Sequence, residues 1–317
     1  MTSATFKAID KPVLIAAGFI GVVLAIGASI NISFVSPTYL LQQLQVASFL
    51  GIIASGMILV ILLGQIDLSL PWTVTMGAMM AAAVGRFGPW GEAGAIPFGM
   101  LCGLAVGLVN GLGYAYLRVP SMIFTLGMNA VLQGLMVLYS GGFAPLTKAT
   151  PLMQLLAVQR TLGIPNALFV WMAISIVLAS VLKLTPFGRY VYATGNRESA
   201  AYLSGVRTRL VIVGCFAING MTSALGGIML TGYSTNAYQG MGDPYLLPAI
   251  AAIVLGGTNI LGGKGSYLGT VIGVVLIVLL QSMLSVMQMP EAGRQIIYGV
   301  VIVVMLLVYG RGARIHS

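Results

Sequence analysis

Apolar residues run along this chain in long blocks, separated by short clusters of charge, glycine and proline. Each block approaches the ~20 residues a helix needs to cross a hydrocarbon core of about 30 Å. The pattern predicts ten helices, over 12–31, 43–63, 69–85, 95–117, 120–140, 165–183, 209–231, 245–261, 266–286 and 295–309. The third and the last are short. No charge interrupts Pro12 to Ile66, so the division there rests on length and on the turn chemistry of Ser33-Phe34-Val35-Ser36-Pro37. Two segments, Gly64-Gln65-Ile66-Asp67-Leu68-Ser69-Leu70-Pro71 and Leu255 to Gly263, read as broken helix ends. Non-helical backbone at membrane depth survives only where protein buries it or a cavity wets it. That places both breaks near a gate or a subunit interface. They resemble each other loosely, which hints at internal duplication. The expected fold is an all-α polytopic membrane protein, a single transmembrane domain over 1–317 with some helices broken.

Composition agrees. Of 317 residues, 58% are hydrophobic and 7% charged, against roughly 45–50% and about 25% in soluble domains. Mean hydropathy is +1.01. Disorder, a disulfide-rich secreted scaffold and a DNA-binding domain are excluded. Lys7 and Lys11 precede a first apolar run longer than a signal-peptide core, which is read as a retained span. With that end inside, eleven of the fifteen basic residues fall on the inner side, leaving Arg86, Lys148, Arg160 and Arg294 outside. This is the positive-inside bias, with both termini cytoplasmic. The net charge of +9 then points to anionic lipid at the inner leaflet rather than to nucleic acid.

Two connections are long. Residues 184–208 form a cytoplasmic loop holding Arg189, Arg197, Glu198 and Arg207, with Arg209 directly after it, and 141–164 form an external loop with an amphipathic stretch from Leu152 to Val158. These are the expected places for protein partners.

Several chemistries lack their residues. Gly263-Lys264 is followed by Gly265, so no phosphate-cradling GxxxxGK[ST] loop exists; the one histidine, His316, serves neither a zinc motif nor a serine nucleophile. Of six acidic residues, Asp67 alone falls at membrane depth, where a turn-capping role and a functional charge are both open. Cys102 and Cys215 lie in apolar runs and read as packing. Glycine is abundant, at 42 residues. Gly99, Gly103, Gly107 and Gly111, and Gly265, Gly269 and Gly273, recur at helical spacing and predict close helix packing. Asn110 and Asn129 either bond a neighbouring helix or face a polar path, and the same two roles stand open for Gln45, Gln133, Asn219 and Gln281.

Four runs carry a resemblance. Gly64-Gln65-Ile66-Asp67-Leu68-Ser69 resembles the GGIDLS segment of sugar permeases in bacterial ABC importers, the ribose, galactose, xylose and autoinducer-2 group. Val119-Pro120-Ser121-Met122-Ile123-Phe124-Thr125-Leu126-Gly127 resembles that family's VPPFIVTLG. Thr185-Pro186-Phe187-Gly188-Arg189, continued by Ala193-Thr194-Gly195-Asn196, Ala200-Ala201 and Leu203-Ser204-Gly205-Val206, is similar to its TxFGRxxxAxGxNxxAAxxSGI loop. Ile253-Val254-Leu255-Gly256-Gly257-Thr258, then Gly262-Gly263-Lys264-Gly265-Ser266, is similar to its VLGGTSLxGGRGS. Gln65 and Pro71-Trp72 depart from the usual Gly and Val-Gly.

The resemblance implies a ten-helix permease of the bacterial inner membrane, not itself an enzyme. Its implied partners are a second permease copy or homologue, two cytoplasmic ATPases that carry ATP and Mg, and a periplasmic or extracellular substrate-binding protein. It also implies that the large cytoplasmic loop is a coupling helix. The residues expected there are Arg189, Gly195, Asn196, Arg197, Glu198, Ala200, Ala201, Leu203, Ser204 and Gly205, with Asn196 as cap of a turn over Glu198–Leu203 and Gly205 as its end. Candidate pathway residues for a small neutral polyol are Gln45, Gln65, Asp67, Asn110, Phe124, Asn129, Gln133 and Asn219. Two rivals stay open: a related permease for branched-chain amino acids or nucleosides, and a carrier coupled to an ion through Asp67.

Overall fold

A computed structural model describes residues 11–141 and 147–313. Lys7, Asp10, Pro145, Arg314 and His316 lie outside them. Thirteen α-helices form among the described residues: α1 (Lys11–Ile30), α2 (Pro37–Leu62), α3 (Leu70–Val84), α4 (Gly88–Leu117), α5 (Ser121–Tyr139), α6 (Pro151–Ala157), α7 (Asn166–Leu184), α8 (Pro186–Asn196), α9 (Glu198–Leu203), α10 (Thr208–Ser234), α11 (Leu246–Leu255), α12 (Tyr267–Val286) and α13 (Glu291–Ala313). Six of them, α2, α4, α5, α7, α10 and α12, are long and apolar enough to cross a membrane, and Leu14–Ile30, Leu70–Val84 and Asp243–Leu255 are shorter apolar helices.

Every expected span has a helix, but the boundaries at 43, 95 and 261 differ by six or seven residues for local reasons. α2 begins at Pro37 rather than 43, because the Ser36 side chain accepts from the Tyr39 N–H and proline pre-sets the first turn. α4 likewise begins at Gly88 rather than 95, with Pro89 in its first turn and Pro97 tolerated inside. α11 stops at Leu255 rather than 261. Gly257 follows at φ +89°, a left-handed turn that a side chain rarely adopts.

α2 forms the centre, buried without interruption from Ala47 to Leu62. α10 lies beside it and also packs on α3 and α4. The α4–α10 contact is backbone to backbone: a Cβ on Gly107 would stand 2.9 Å from the Ala217 Cα and closer still to the Phe216 carbonyl. Gly269 and Gly273 of α12 face the Gly256 and Ala252 carbonyls in the same way. Small faces let helices approach where lipid gives no hydrophobic drive between them. The Tyr267 hydroxyl ties three helices, lying 2.6 Å from Ser55 Oγ on α2 and donating to Ser175 Oγ on α7 at 3.0 Å.

At one end of the bundle, β1 (Thr147–Lys148) pairs antiparallel with β4 (Asn236–Ala237), and β2 (Arg160–Thr161) with β3 (Ile164–Pro165). Leu162 and Gly163 turn the second hairpin, both at positive φ. α6 sits here too, so the described part of the 141–164 connection is structured. α8 and α9 cover the opposite end. Arg118, Arg189, Arg197, Arg207, Arg209 and Lys264 gather at the α8–α9 end, and Arg86, Lys148, Arg160 and Arg294 at the other.

Candidate coupling site and polar helix break

The chain leaves α2 at Leu62 and re-enters helix at Leu70. Between them Asp67, 2% exposed, folds back so that its Oδ1 accepts from the Ser69 N–H at 2.9 Å and the Ser69 hydroxyl at 2.6 Å. This is an Asx turn placed ahead of α3, where a carboxylate suits a helix N-terminus. Two other helices reach in. Asn219 Nδ2 on α10 donates to Asp67 Oδ2 at 2.8 Å, and Asn110 Nδ2 on α4 donates to Ser69 Oγ at 2.7 Å. Both asparagines are fully buried. α5 closes the break from a third side. The Leu68 N–H donates to Thr125 Oγ1 at 2.9 Å, and Ser121 Oγ donates to Gln65 Oε1 at 2.8 Å.

The pathway candidates therefore separate into groups. Asp67, Asn110 and Asn219 meet in one enclosed network, and Gln65 lies at its edge. Gln45 is elsewhere, donating to the Ala157 carbonyl of α6 at 2.7 Å. Along α5, Phe124 lies over Gly113, Asn129 is half-buried with its Oδ1 unbonded among the described residues, and Gln133 is exposed.

The second break, after α11, packs against the first. The Gly263 N–H donates to the Leu62 carbonyl at 2.9 Å, and a Cβ on Gly262 would stand 2.6 Å from the Gly64 nitrogen. The loosely similar segments are thus neighbours in space. The end of α8 crosses both: a Cβ on Gly195 would overlap the Leu62 carbonyl and lie 2.9 Å from the Gly263 nitrogen, and one on Gly263 would lie 2.8 Å from the Asn196 Cα. Tyr192 Oη donates to the Gly265 carbonyl at 3.0 Å. Burial pushes that phenol above its ordinary value, which keeps it a neutral donor. Nothing in the sequence marked Tyr192, Ser121 or Thr125 for such contacts, since their partners lie 56 or more residues away.

The loop over 184–208 holds two helices. α9 spans Glu198–Leu203, and its end is a Schellman motif, with the Val206 N–H bonding the Ala201 carbonyl at 3.1 Å and the Gly205 N–H the Tyr202 carbonyl at 3.0 Å. Gly205 is left-handed, at φ +85°. Asn196 does not cap α9. It ends α8, and the extended residue between the helices is Arg197, whose carbonyl accepts from the Ala201 N–H. The cause is steric: packing of Gly195 on the breaks holds Asn196 in the last turn of α8. Ala201 is buried, while Arg189, Ala200, Leu203, Ser204 and Gly205 are exposed. Tyr202 and Leu203 stand 68% and 85% exposed beside exposed Arg197 and Arg207. Glu198 pairs with Arg118 at 3.1 Å on this surface. Arg118 is mostly exposed, so Arg118→Ala is expected to change stability by less than about 1 kcal/mol, as thermal unfolding in detergent will read.

Comparison with known proteins identifies the family. Residues 39–306 match the family model described as branched-chain amino acid transport system / permease component. The chain is 35% identical over 291 residues to the ribose import permease protein RbsC of Haemophilus influenzae, covering 90% of this chain and 89% of that one. It is 32% identical over 292 residues to RbsC of Escherichia coli K12, covering 90% of each. It is 32% identical over 265 residues to the autoinducer 2 import system permease protein LsrC of Salmonella choleraesuis, covering 84% and 76%. No solved structure matches the chain. The catalytic equipment that the sequence lacks belongs, in such importers, to separate ATPase subunits, and the kinship to these permeases together with six helices able to cross a membrane makes the chain a multi-pass protein of the bacterial inner membrane. The chain belongs to the sugar-type family of ABC-importer permeases.

Proposed function

We propose that this chain is the translocation subunit of an ATP-driven importer for a monosaccharide or a related small polyol. Ten spans carry it across the membrane, with both termini in the cytoplasm. It pairs with a second permease copy or homologue, receives substrate from an external binding protein, and rests on two cytoplasmic ATPases that hold ATP and Mg. The α8–α9 pair is the docking element, with Arg189, Arg197, Glu198, Ala200, Leu203, Ser204 and Gly205 at or beside the docked surface. Exposed apolar side chains outside the lipid mark a protein partner, and Tyr202 and Leu203 sit among arginines that suit an acidic groove. Ala201 and Gly195 face inward and transmit, and the backbone of Asn196, whose side chain is exposed, lies against Gly263.

The observation that carries the reading is the contact of α8 with both helix breaks. A push on the exposed loop reaches the ends of α2, α3, α11 and α12 through backbone contacts, with no soft side chain between. ATP binding closes the ATPases, α8–α9 moves with them, and the helices beyond the breaks rock to open the pathway outward; hydrolysis returns it inward. The pathway residues proposed are Gln65, Phe124, Asn129 and Gln133, with Asp67, Asn110 and Asn219 holding the break beside them, while Gln45 ties α2 to α6 away from that path.

The test is ATP hydrolysis by the chain in lipid with its cognate ATPase and binding protein. The panel covers pentoses, hexoses, sugar alcohols, amino acids and nucleosides. Stimulation by one sugar-loaded binding protein is expected, and it is expected to be lost in Ala201→Pro, which removes the N–H that bonds the Arg197 carbonyl at 3.1 Å and so breaks the first turn of α9. Stimulation by an amino acid or nucleoside alone, or uptake driven by an ion gradient with no ATPase attached, would overturn the reading.

A further inference from the structure

At the end of the bundle away from α8–α9, a cavity of about 540 Å³ opens between α2, the segment 238–248 and α12. Its size is that of small-molecule sites, which run to roughly 300–1,000 Å³. It reaches down α2 from Tyr39 to Leu50, about 16 Å at the helical rise. The polar break and the coupling loop lie at the other end of α2, so neither absorbs it.

Its chemistry is specific. Gln43 and Gln281 both line the cavity from facing helices and are half-buried. Neither carboxamide has a hydrogen-bond partner among the described residues. Each offers two donors and an acceptor, a set that matches adjacent hydroxyl groups, every one of which both donates and accepts. Tyr238 and Tyr245 add ring faces for C–H surface and hydroxyls for further bonds. Among the described residues no carboxylate lines the cavity, and its one charge, Arg294, is engaged, paired with Glu291 at 3.3 Å and donating through Nε to the Met289 carbonyl at 3.2 Å. An anionic ligand would compete with Glu291 for that guanidinium; a neutral one would not.

We infer that this cavity is an outer binding site within the protomer for a neutral polyhydroxylated ligand of monosaccharide size, read by the carboxamides of Gln43 and Gln281 against the rings of Tyr238 and Tyr245. This deepens the proposed import function and rests on it for its purpose, though the binding itself does not depend on transport. The site gives a released sugar a holding place on the outer side before the pathway opens.

The experiment uses the full chain in nanodiscs, with Cys102 and Cys215 changed to serine and an environment-sensitive fluorophore on Ser285→Cys at the cavity wall. The probes are ribose, xylose, galactose, glucuronate and, as lipid, phosphatidylglycerol. A saturable response to at least one neutral sugar is expected, weakened roughly tenfold or more in Gln43→Ala/Gln281→Ala and unchanged in Gln42→Ala, whose side chain is exposed outside the cavity. No response to any neutral sugar, a response to glucuronate or phosphatidylglycerol alone, or equal sugar responses with and without both glutamines would overturn the proposal. ATP hydrolysis by the assembled transporter is measured in parallel. Stimulation without sugar binding here refutes this site alone; sugar binding here without stimulation refutes the import reading alone.

Discussion

Asp67→Ala is expected to destabilise the folded chain by about 3 kcal/mol, while Asp67→Asn is expected to cost less than about 1 kcal/mol. The alanine takes the acceptor from the Ser69 N–H, the Ser69 hydroxyl and Asn219 Nδ2 in a site sealed from water and lipid. A buried donor stripped of its partner loses about 1–3 kcal/mol, and of these three the hydroxyl alone can rotate toward another oxygen, Thr73 Oγ1. The asparagine behaves differently because of a detail on the far side. Asn219 Oδ1 is itself unbonded among the described residues. Its amide can turn over, accept from the new side-chain N–H₂ at position 67, and leave the Asx turn to Ser69 intact. Thermal unfolding in detergent separates the two variants. Uptake supplies a second readout: a carboxylate kept to tie α3, α4 and α10 together tolerates Asp67→Asn with import retained, whereas one that carries a coupling proton or sodium does not. Equal losses in both variants would show that the negative charge, not the hydrogen-bond pattern, is what the site needs.

The contrast shows where the sequence was readable. Asp67 lies two residues from the backbone N–H it bonds, so a capping role could be proposed from local chemistry alone. That Asn110 and Asn219 both turn toward that segment could not, because amides in uncharged helices look the same whether they face a neighbour or a path. The helices themselves were legible, since an apolar block of the right length has few alternatives in a membrane. Their ends were less so. Pro37 starts α2 through the Ser36 cap and its fixed φ and Pro89 starts α4 through its fixed φ alone, which an apolar count passes over, and the left-handed Gly257 stops α11 within a run that stays apolar. α9 was placed to the residue because its ending is local, a glycine at the position where a Schellman motif requires one. Its cap was misassigned because Asn196 answers to Gly263, 67 residues on. The outer cavity left no trace, as its two glutamines are separated by most of the chain.

Gly195→Val is expected to uncouple the transporter. A valine here has no room: its Cβ would overlap the Leu62 carbonyl and crowd the Gly263 nitrogen, the two groups that bond each other at 2.9 Å to hold the helix breaks together. Either α8 lifts off or the breaks part, and both sever the only backbone route described from the exposed loop to α2 and α11. Sugar moved per ATP hydrolysed should fall at least tenfold, the scale of a coupling free energy of about 1–3 kcal/mol, while the ATPase still binds because Tyr202, Leu203 and the arginines are untouched. Tyr192→Phe guards against a mere folding defect. It keeps the ring and removes only the bond to the Gly265 carbonyl, so the chain should assemble normally and show a smaller loss in the same ratio. Transport and hydrolysis must be measured on the same proteoliposomes, because the ratio carries the meaning. Proportional loss of both activities in the two variants would mean that α8 serves assembly alone, and full retention of both activities in Gly195→Val would mean that force reaches the membrane helices by another contact.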